Sequence, residues 1–213
     1  MLTVDAYNFG PYANCVYVMY ANVKKVAVVV DAASGSFDGL KKHLAGHEIH
    51  LFLTHGHWDH MCEAAKFQRE LKAVVYAHKA DQDWFATMEQ CKYAPSNISF
   101  ETISPDIWVE HGQTTQFGDL VIKILHTPGH TPGQIALYVE SLRSVFVGDT
   151  LFYRTVGRTD LPGGSFDQLK SSIRHILYAL PEDTVVYPGH GEKTSIGAEQ
   201  KYNPIVPLGK NSS

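Results

Sequence analysis

The chain has 213 residues, 44% hydrophobic and 19% charged, with a net charge of −4 and a pI near 6.3. This is an ordinary soluble composition, and the lack of a basic block argues against nucleic acid as a partner. No signal peptide and no stretch of roughly 20 apolar residues is recognised, so no membrane partner is predicted. The cysteines lack motif spacing, which favours reduced thiols in a cytoplasmic protein: Cys15, Cys62 and Cys91.

The N-terminal half alternates short β-branched or aromatic runs with turns and helical patterns. Asp59 stands where it could cap the second of two predicted helices. The spacing of apolar residues predicts strands over 16–20, 26–30, 50–53 and 74–76, and helices over 37–44 and 60–71.

The C-terminal half continues the same alternation. It contains one strongly amphipathic pattern, over 166–180, which predicts a helix. Further strands are predicted over 120–125, 134–139, 144–147 and 184–187. We find no linker, repeat or low-complexity segment, so the sequence predicts a single domain over residues 1–213.

Three histidines and a carboxylate fall within residues 55–60, directly after an apolar strand. Imidazole is the commonest protein ligand for metals such as zinc. His55 and His57 are two residues apart in an extended segment, so their side chains point the same way and suit one ion. Asp59 and His60 lie where the chain turns into a helix, and would face a second point.

More distant residues can complete two metal sites. The ends of several predicted strands carry polar residues: Asp31, His55, His130, Asp149 and His190. Such ends share an edge of a sheet, so these side chains could converge. His130 could complete the first site and His190 the second. A carboxylate such as Asp149 can bridge two ions roughly 3.5–4 Å apart.

Five segments together resemble one known family. They are residues 54–60, 127–133, 148–152, 157–160 and 187–191, in the family's order. The chain is similar to metallo-β-lactamase-fold hydrolases, and among them to the glyoxalase II-like (hydroxyacylglutathione hydrolase-like) branch. The resemblance implies an α/β fold, a four-layer αββα sandwich of two mixed sheets with outer helices.

The same resemblance implies a first metal site of His55, His57 and His130, and a second of Asp59, His60 and His190, bridged by Asp149. It also places Arg158 where the family has a basic residue near the substrate. Tyr153, which follows the bridging aspartate closely, is a second candidate for the substrate cleft.

Two departures concern the thiol part of the substrate. Glyoxalase II usually continues into a helical region that helps to hold glutathione, whereas this chain is expected to lack that C-terminal domain. After its last metal histidine that enzyme also carries an acidic residue followed by tyrosine, whereas here Gly191 is followed by Glu192 and Lys193. A β-lactamase is disfavoured, because several zinc β-lactamases have cysteine where this chain has Asp149.

The implied reaction is hydrolysis of a thioester such as S-lactoylglutathione or another S-acylglutathione. Two divalent ions, expected to be zinc with iron or manganese as alternatives, would lower the pKa of a bridging water from 15.7 toward about 7. The resulting hydroxide would attack the carbonyl, and a thiol with a pKa near 8.5 can leave as thiolate. Asp59 could accept a proton. Asp31 could orient a ligand imidazole or be a turn residue.

Two other functions stay open at this stage. A persulfide dioxygenase would hold a single iron through two histidines and a carboxylate, here His55, His130 and Asp149. A non-catalytic module on the same fold is the other possibility. The expected assembly is a monomer or a homodimer.

Overall fold

The computed structural model describes residues 2–22, 25–87, 92–99 and 101–208. The N-terminal part forms a six-stranded mixed sheet whose strand order follows the chain. The first three strands are antiparallel and the remaining ones continue in parallel. They are β1 (Thr3–Phe9), β2 (Asn14–Ala21), β3 (Val26–Val30), β4 (Glu48–Phe52), β5 (Val74–His78) and β6 (Ile107–Val109).

The C-terminal part forms a second mixed sheet and a small hairpin. The strands are β7 (Thr114–Phe117), β8 (Leu120–His126), β9 (Ile135–Val139), β10 (Ser144–Gly148), β11 (Leu151–Phe152), β12 (Thr155–Val156), β13 (Val185–Pro188) and β14 (Thr194–Ser195). The second sheet has the order β14-β13-β10-β9-β8-β7, in which β10 and β13 are parallel, and β11 pairs with β12.

Helices cover the outer faces of both sheets. They are α1 (Ser36–Leu44), α2 (Trp58–Met61), α3 (Ala64–Leu71), α4 (Gln82–Ala86), α5 (Phe166–Ser172) and α6 (Ile196–Tyr202); a π-helical turn, Ile173–Leu177, extends α5. No helix in the described ranges is both long and apolar enough to cross a membrane.

Alternation along the strands builds three layers of core. In β3, Val28 and Val30 face the second sheet, while Val29 packs in the cluster that includes Leu40 of α1 and Phe67 of α3. Successive strand residues point to opposite faces, so a strand buried on both sides reads as a continuous apolar run. A third cluster packs α5 on the second sheet. The predicted four-layer sandwich of two mixed sheets is confirmed.

One predicted helix is divided in two. The pattern over 60–71 corresponds to α2 and α3, separated at Cys62 and Glu63. The carbonyl of His60 accepts a bond from Ala32 N (2.7 Å), and Glu63 N donates to the Ala32 carbonyl (3.0 Å). These bonds to the chain after β3 replace helical ones. The prediction that Asp59 caps the helix was wrong, since α2 begins at Trp58 and Asp59 lies inside it.

Candidate metal centre

The strand ends meet at one edge of the sandwich. The amide of Ile135 donates to the Thr54 carbonyl (2.9 Å), which joins the end of β4 to β9 across the two sheets. In the second sheet, Gly189 N donates to the Gly148 carbonyl (2.8 Å), which holds the ends of β10 and β13 together. The edge therefore brings together residues that lie far apart in the sequence.

The first donor set consists of three imidazoles. Nδ1 of His57 lies 3.1 Å from Nε2 of His55 and 2.9 Å from Nε2 of His130. Ligand atoms at a zinc–nitrogen distance of 2.0–2.1 Å in a tetrahedron are separated by about 3.3 Å. The spacing of these nitrogens is close to that value, so the set fits one divalent cation.

The second donor set contains a carboxylate. Nε2 of His190 lies 3.2 Å from Nε2 of His60 and 3.4 Å from Oδ2 of Asp59. Asp59 Oδ2 is 3.6 Å from Nε2 of His60. These three donors also fit one cation, with one negative charge among them.

Asp149 lies between the two sets. Its Oδ2 is 3.6 Å from Nε2 of both His130 and His190, and its Oδ1 is 3.4 Å from Nε2 of His60. This Oδ1 is buried and accepts no hydrogen bond. A buried carboxylate oxygen without a partner is costly, and a cation on either side would satisfy it. The residues present therefore fit a pair of divalent ions sharing Asp149.

Asp31 fixes two of the ligand rings. Its Oδ2 accepts from Nδ1 of His60 (2.8 Å) and from the Thr54 hydroxyl (2.9 Å), and that hydroxyl accepts from Nδ1 of His55 (3.0 Å). Protonation at Nδ1 leaves both Nε2 lone pairs facing the centre. Asp31 also has a positive φ of 65° at the end of β3. It is thus a turn residue and an orienting residue at once.

Backbone carbonyls orient two further rings. Nδ1 of His130 donates to the Arg158 carbonyl (2.7 Å), and Nδ1 of His190 donates to the Tyr12 carbonyl (3.0 Å). Arg158 therefore contributes to the first donor set through its backbone, whatever its side chain does.

Asp81 is a buried carboxylate that the sequence pattern did not single out. Its Oδ2 accepts from Gly56 N (2.9 Å) and the Thr131 hydroxyl (2.8 Å), and its Oδ1 accepts from Gly133 N (2.6 Å). It joins the segment carrying His55 and His57 to the segment carrying His130. A Cβ on Gly133 would lie 2.6 Å from Asp81 Cγ, so glycine is required for this approach.

Asn14 is a second residue that sequence reasoning missed. Its buried amide lies at the start of β2 and donates to Asp59 Oδ2 (2.9 Å). The same nitrogen is 3.3 Å from Nε2 of His60 and 3.4 Å from Nε2 of His190. An asparagine before a strand carries no signal of such a role.

The two donor sets differ in their electrostatics. Burial lowers the pKa of His55 well below its ordinary value and that of His57 to about 3, and neighbouring imidazoles add to both shifts. Burial acts the same way on His60 and His190, but nearby carboxylates outweigh it and raise both pKa values. Burial alone would raise the pKa of Asp149, yet His60 and its neighbours lower it to about 2.

A cavity of about 710 Å³ opens over the centre. Five donor residues form its floor: His57, Asp59, His130, Asp149 and His190. Its walls are mostly aromatic or aliphatic, with Thr155 and Arg158 as the polar members. The apolar lining residues are Tyr12, Trp58, Trp84, Tyr93, Phe152, Val156, Leu161 and Pro162.

The two predicted substrate residues are placed differently. Arg158 lines the cavity, and its guanidinium forms two bonds of 2.7 Å with the carboxylate of Asp160. Tyr153 is not among the lining residues. Its side chain is 50% exposed and packs against the Arg154 guanidinium, 4.8 Å from the ring centre. Tyr153 lies in the turn after β11, and the preceding Phe152 occupies the position at the cavity.

Several other histidines, and Cys62, have partners outside the two sets. His50 bonds to the Tyr76 hydroxyl (3.0 Å) and to Glu48 (3.1 Å), while His78 and His126 stack with ring centres 3.9 Å apart. Cys62 is buried beside Ala32, between α2 and α3. Cys91 lies outside the described residues.

Comparison with known proteins agrees with this geometry. A model described as the metallo-beta-lactamase superfamily matches residues 11–190, which include both donor sets. The chain belongs to this superfamily. Among curated relatives, the hydroxyacylglutathione hydrolase GloC of Haemophilus influenzae is 34% identical over 158 residues, covering 73% of this chain and 74% of that protein.

Solved structures of the superfamily share the fold. The B3 metallo-beta-lactamase BLEG-1 has a TM-score of 0.87 at 30% identity, covering 96% of this chain and 99% of that one. TTHA1623 in a di-iron-bound form has 0.83 at 31% (94% and 98%), and ETHE1 from Myxococcus xanthus has 0.80 at 27% (98% and 86%). The fold and the metal-binding character are common to the superfamily, whereas the substrate must be argued from the site.

Proposed function

We propose that this protein is a two-metal hydrolase that cleaves thioesters, with S-lactoylglutathione or another S-acylglutathione as substrate. The observation that carries the proposal is a pair of three-donor sets, each within 4.8 Å, joined by Asp149 beneath an open cavity. Divalent ions held there would lower the pKa of a bound water toward about 7 and so supply hydroxide.

The residues of this chain then have defined tasks. Asp31 and the carbonyls of Tyr12 and Arg158 hold the ligand rings in one tautomer. Asp59 is ionised, since its pKa is lowered by neighbouring His60 although burial opposes this, and it lines the cavity. An ionised carboxylate beside the reacting carbonyl can take up the proton of the attacking water.

A thioester suits such a site because its thiol leaves as thiolate without a dedicated acid. The similarity to the hydroxyacylglutathione hydrolase GloC of Haemophilus influenzae supports this substrate class. The di-iron form of TTHA1623 supports a pair of ions. Iron is therefore a candidate metal for this protein, together with zinc and manganese.

The test combines metal analysis with a thioester assay. We expect about two ions per chain and release of free thiol from S-lactoylglutathione, abolished by a chelator and restored by zinc, iron or manganese. A protein with its full metal content that hydrolyses no thioester would disprove the proposal. Hydrolysis of a β-lactam by that same protein would show that its substrates are β-lactams instead.

A persulfide dioxygenase with one iron at His55, His130 and Asp149 is the second candidate. The similarity to ETHE1 from Myxococcus xanthus favours it. The donor groups found within 4.8 Å among the described residues do not include that triad, although they include another set of two histidines and one carboxylate: His55, His60 and Asp149. Oxygen uptake with glutathione persulfide, together with a single iron per chain, would decide for this candidate.

Several expectations stay predictions of the sequence. They are the single domain over residues 1–213, the small-molecule partner, the monomer or homodimer, and the cytoplasmic location. Size-exclusion chromatography with light scattering would measure the assembly directly.

A further inference from the structure

The walls of the cavity differ in character from its floor. The floor consists of metal-binding side chains, whereas most wall residues present aromatic or aliphatic surface to the cavity. They come from separate segments of the chain: Tyr12 precedes β2, Trp84 lies in α4, Phe152 ends β11 and Leu161 follows Arg158. Apolar walls favour the burial of apolar groups of a ligand.

Aromatic rings extend the walls down to the first donor set. The Trp84 ring stacks on His57, with ring centres 5.2 Å apart and planes 13° apart. On the other side, Tyr12 packs edge-on against the buried Trp58, at 5.5 Å. A group attached to a carbonyl held over the floor would therefore contact aromatic rings and no charged side chain of the described walls other than Arg158.

The walls of the cavity offer little to an anionic group. Arg158 is the only lysine or arginine among the described lining residues, and the carboxylate of Asp160 already forms two bonds with it. Divalent ions at the floor would outweigh the charges of Asp59 and Asp149, so the walls matter for groups of the ligand that lie away from the floor. Glutathione carries two carboxylates, and neither would find an unpaired cation among these described wall residues.

We infer that the site prefers thioesters of aromatic or aliphatic acids, carried on an uncharged thiol, over S-lactoylglutathione. This inference rests on the proposed thioesterase function and moves the preferred substrate from glutathione conjugates to thioesters of an uncharged thiol. In the reaction, water oxygen bonds to the acyl carbon and the carbon–sulfur bond breaks. The sulfur leaves with the electron pair, and the products are a carboxylate, a thiol and a proton. The cavity volume of about 710 Å³ suits an aromatic acyl group.

The test uses the metal-loaded protein and four thioesters. Phenylacetyl and lactoyl groups are each attached to glutathione and to N-acetylcysteamine, and kcat/KM is divided by the rate of alkaline hydrolysis. We expect phenylacetyl to exceed lactoyl by about tenfold or more on either thiol, with no gain from glutathione. Faster lactoyl turnover, or a tenfold advantage of glutathione, would overturn the inference alone. Failure of all four would overturn the proposed function as well.

Two variants locate the preference in the cavity. Leu161→Asn should lower kcat/KM for phenylacetyl-N-acetylcysteamine about tenfold and leave the lactoyl thioester nearly unchanged, while Leu161→Met should keep both. An equal loss with both acyl groups would contradict an apolar contact at this wall.

Asp160→Asn tests the charge argument. Release of Arg158 should raise the use of glutathione thioesters over N-acetylcysteamine thioesters by up to about fivefold, the range of an exposed ion pair. Asp183→Asn removes the partner of Arg143 at another exposed ion pair and should leave this ratio unchanged. An unchanged ratio in Asp160→Asn would contradict the view that the ion pair with Asp160 keeps Arg158 from binding glutathione.

Discussion

The two donor sets lie side by side but are built on opposite electrostatic principles. The first contains three imidazoles, of which burial holds His55 and His57 neutral. In the second, Asp59 belongs to the set itself, and Asp31 bonds to His60. A cation at the first set meets two imidazoles with lowered pKa values and one shared carboxylate, whereas a cation at the second competes with protons that the carboxylates favour on the rings.

The supports of the two sets differ in the same way. Asp81 positions the first set through two backbone amides and a threonine hydroxyl, without touching an imidazole. Asp31 and Asn14 touch members of the second set directly. One half of the centre is thus supported behind the backbone of its ligands and the other by direct contacts to them. Asp31 links the two, because it also holds the Thr54 hydroxyl beside His55.

The largest effect is expected from removing the residue that both halves share. Asp149→Ala should lose both ions and reduce hydrolysis to the background rate, because the bridging carboxylate supplies a ligand to each site. Metal analysis after dialysis is the measurement. Asp167→Ala, an exposed position on α5, serves as the control. Unchanged metal content in Asp149→Ala would refute the bridging role.

A matched pair of variants should separate the halves. In Asp81→Asn, the amide N–H₂ would face N–H or O–H groups that now donate to the carboxylate. This change should weaken metal binding mainly at the first set. Asp31→Asn should weaken it more at the second set, where His60 loses its acceptor, than at the first, which Asp31 reaches only through Thr54. Loss of a partner behind the ligands costs about 10- to 100-fold in metal affinity.

Titration with cobalt, followed by its visible spectrum, would resolve the two binding steps of this pair. The two variants should weaken different steps. If both variants weakened the same step equally, the division of supports would be wrong. Circular dichroism and thermal unfolding would show whether both variants keep the fold.

Acidification should affect the halves unequally. The raised pKa values of His60 and His190 mean that protons compete with metal above the ordinary histidine value, so affinity at the second set falls as the pH drops. The lowered values of His55 and His57 mean that protons do not compete for these two donors of the first set. Between about pH 8 and pH 6, one step of a zinc titration should weaken more than the other. Parallel weakening of both steps would contradict the contrast.

The smallest effect is expected from Asn14→Ala. Asp59 would lose one hydrogen bond, and water could replace it because the carboxylate is partly exposed. The expected cost is about 1 kcal/mol, or a severalfold loss of affinity at the second set. Calorimetric zinc titration would measure it, with the exposed Asn97→Ala as a control. A loss as large as that of Asp31→Asn would mean that Asn14 has a more direct role.

Local sequence patterns predicted most of the strands and the metal-binding residues of this protein. Alternating and continuous apolar runs predicted the strands, because the faces of a strand that are buried determine which of its residues are apolar. Four of the donors could be recognised because they lie in one short segment after a strand: His55, His57, Asp59 and His60. The distant donors were recognisable as residues at strand ends.

The tertiary structure decided what no local pattern encodes. Asp81 and Asn14 gain their roles from partners 25 to 52 and 45 to 176 positions away. Phe152 lies at the cavity where Tyr153 was expected, because the turn after β11 sets which ring faces inward. The helices α2 and α3 are separate because the chain after β3 takes hydrogen bonds that would have joined them. The opposite pKa shifts of the two sets likewise arise only when buried rings and carboxylates meet, since burial and charge act through space.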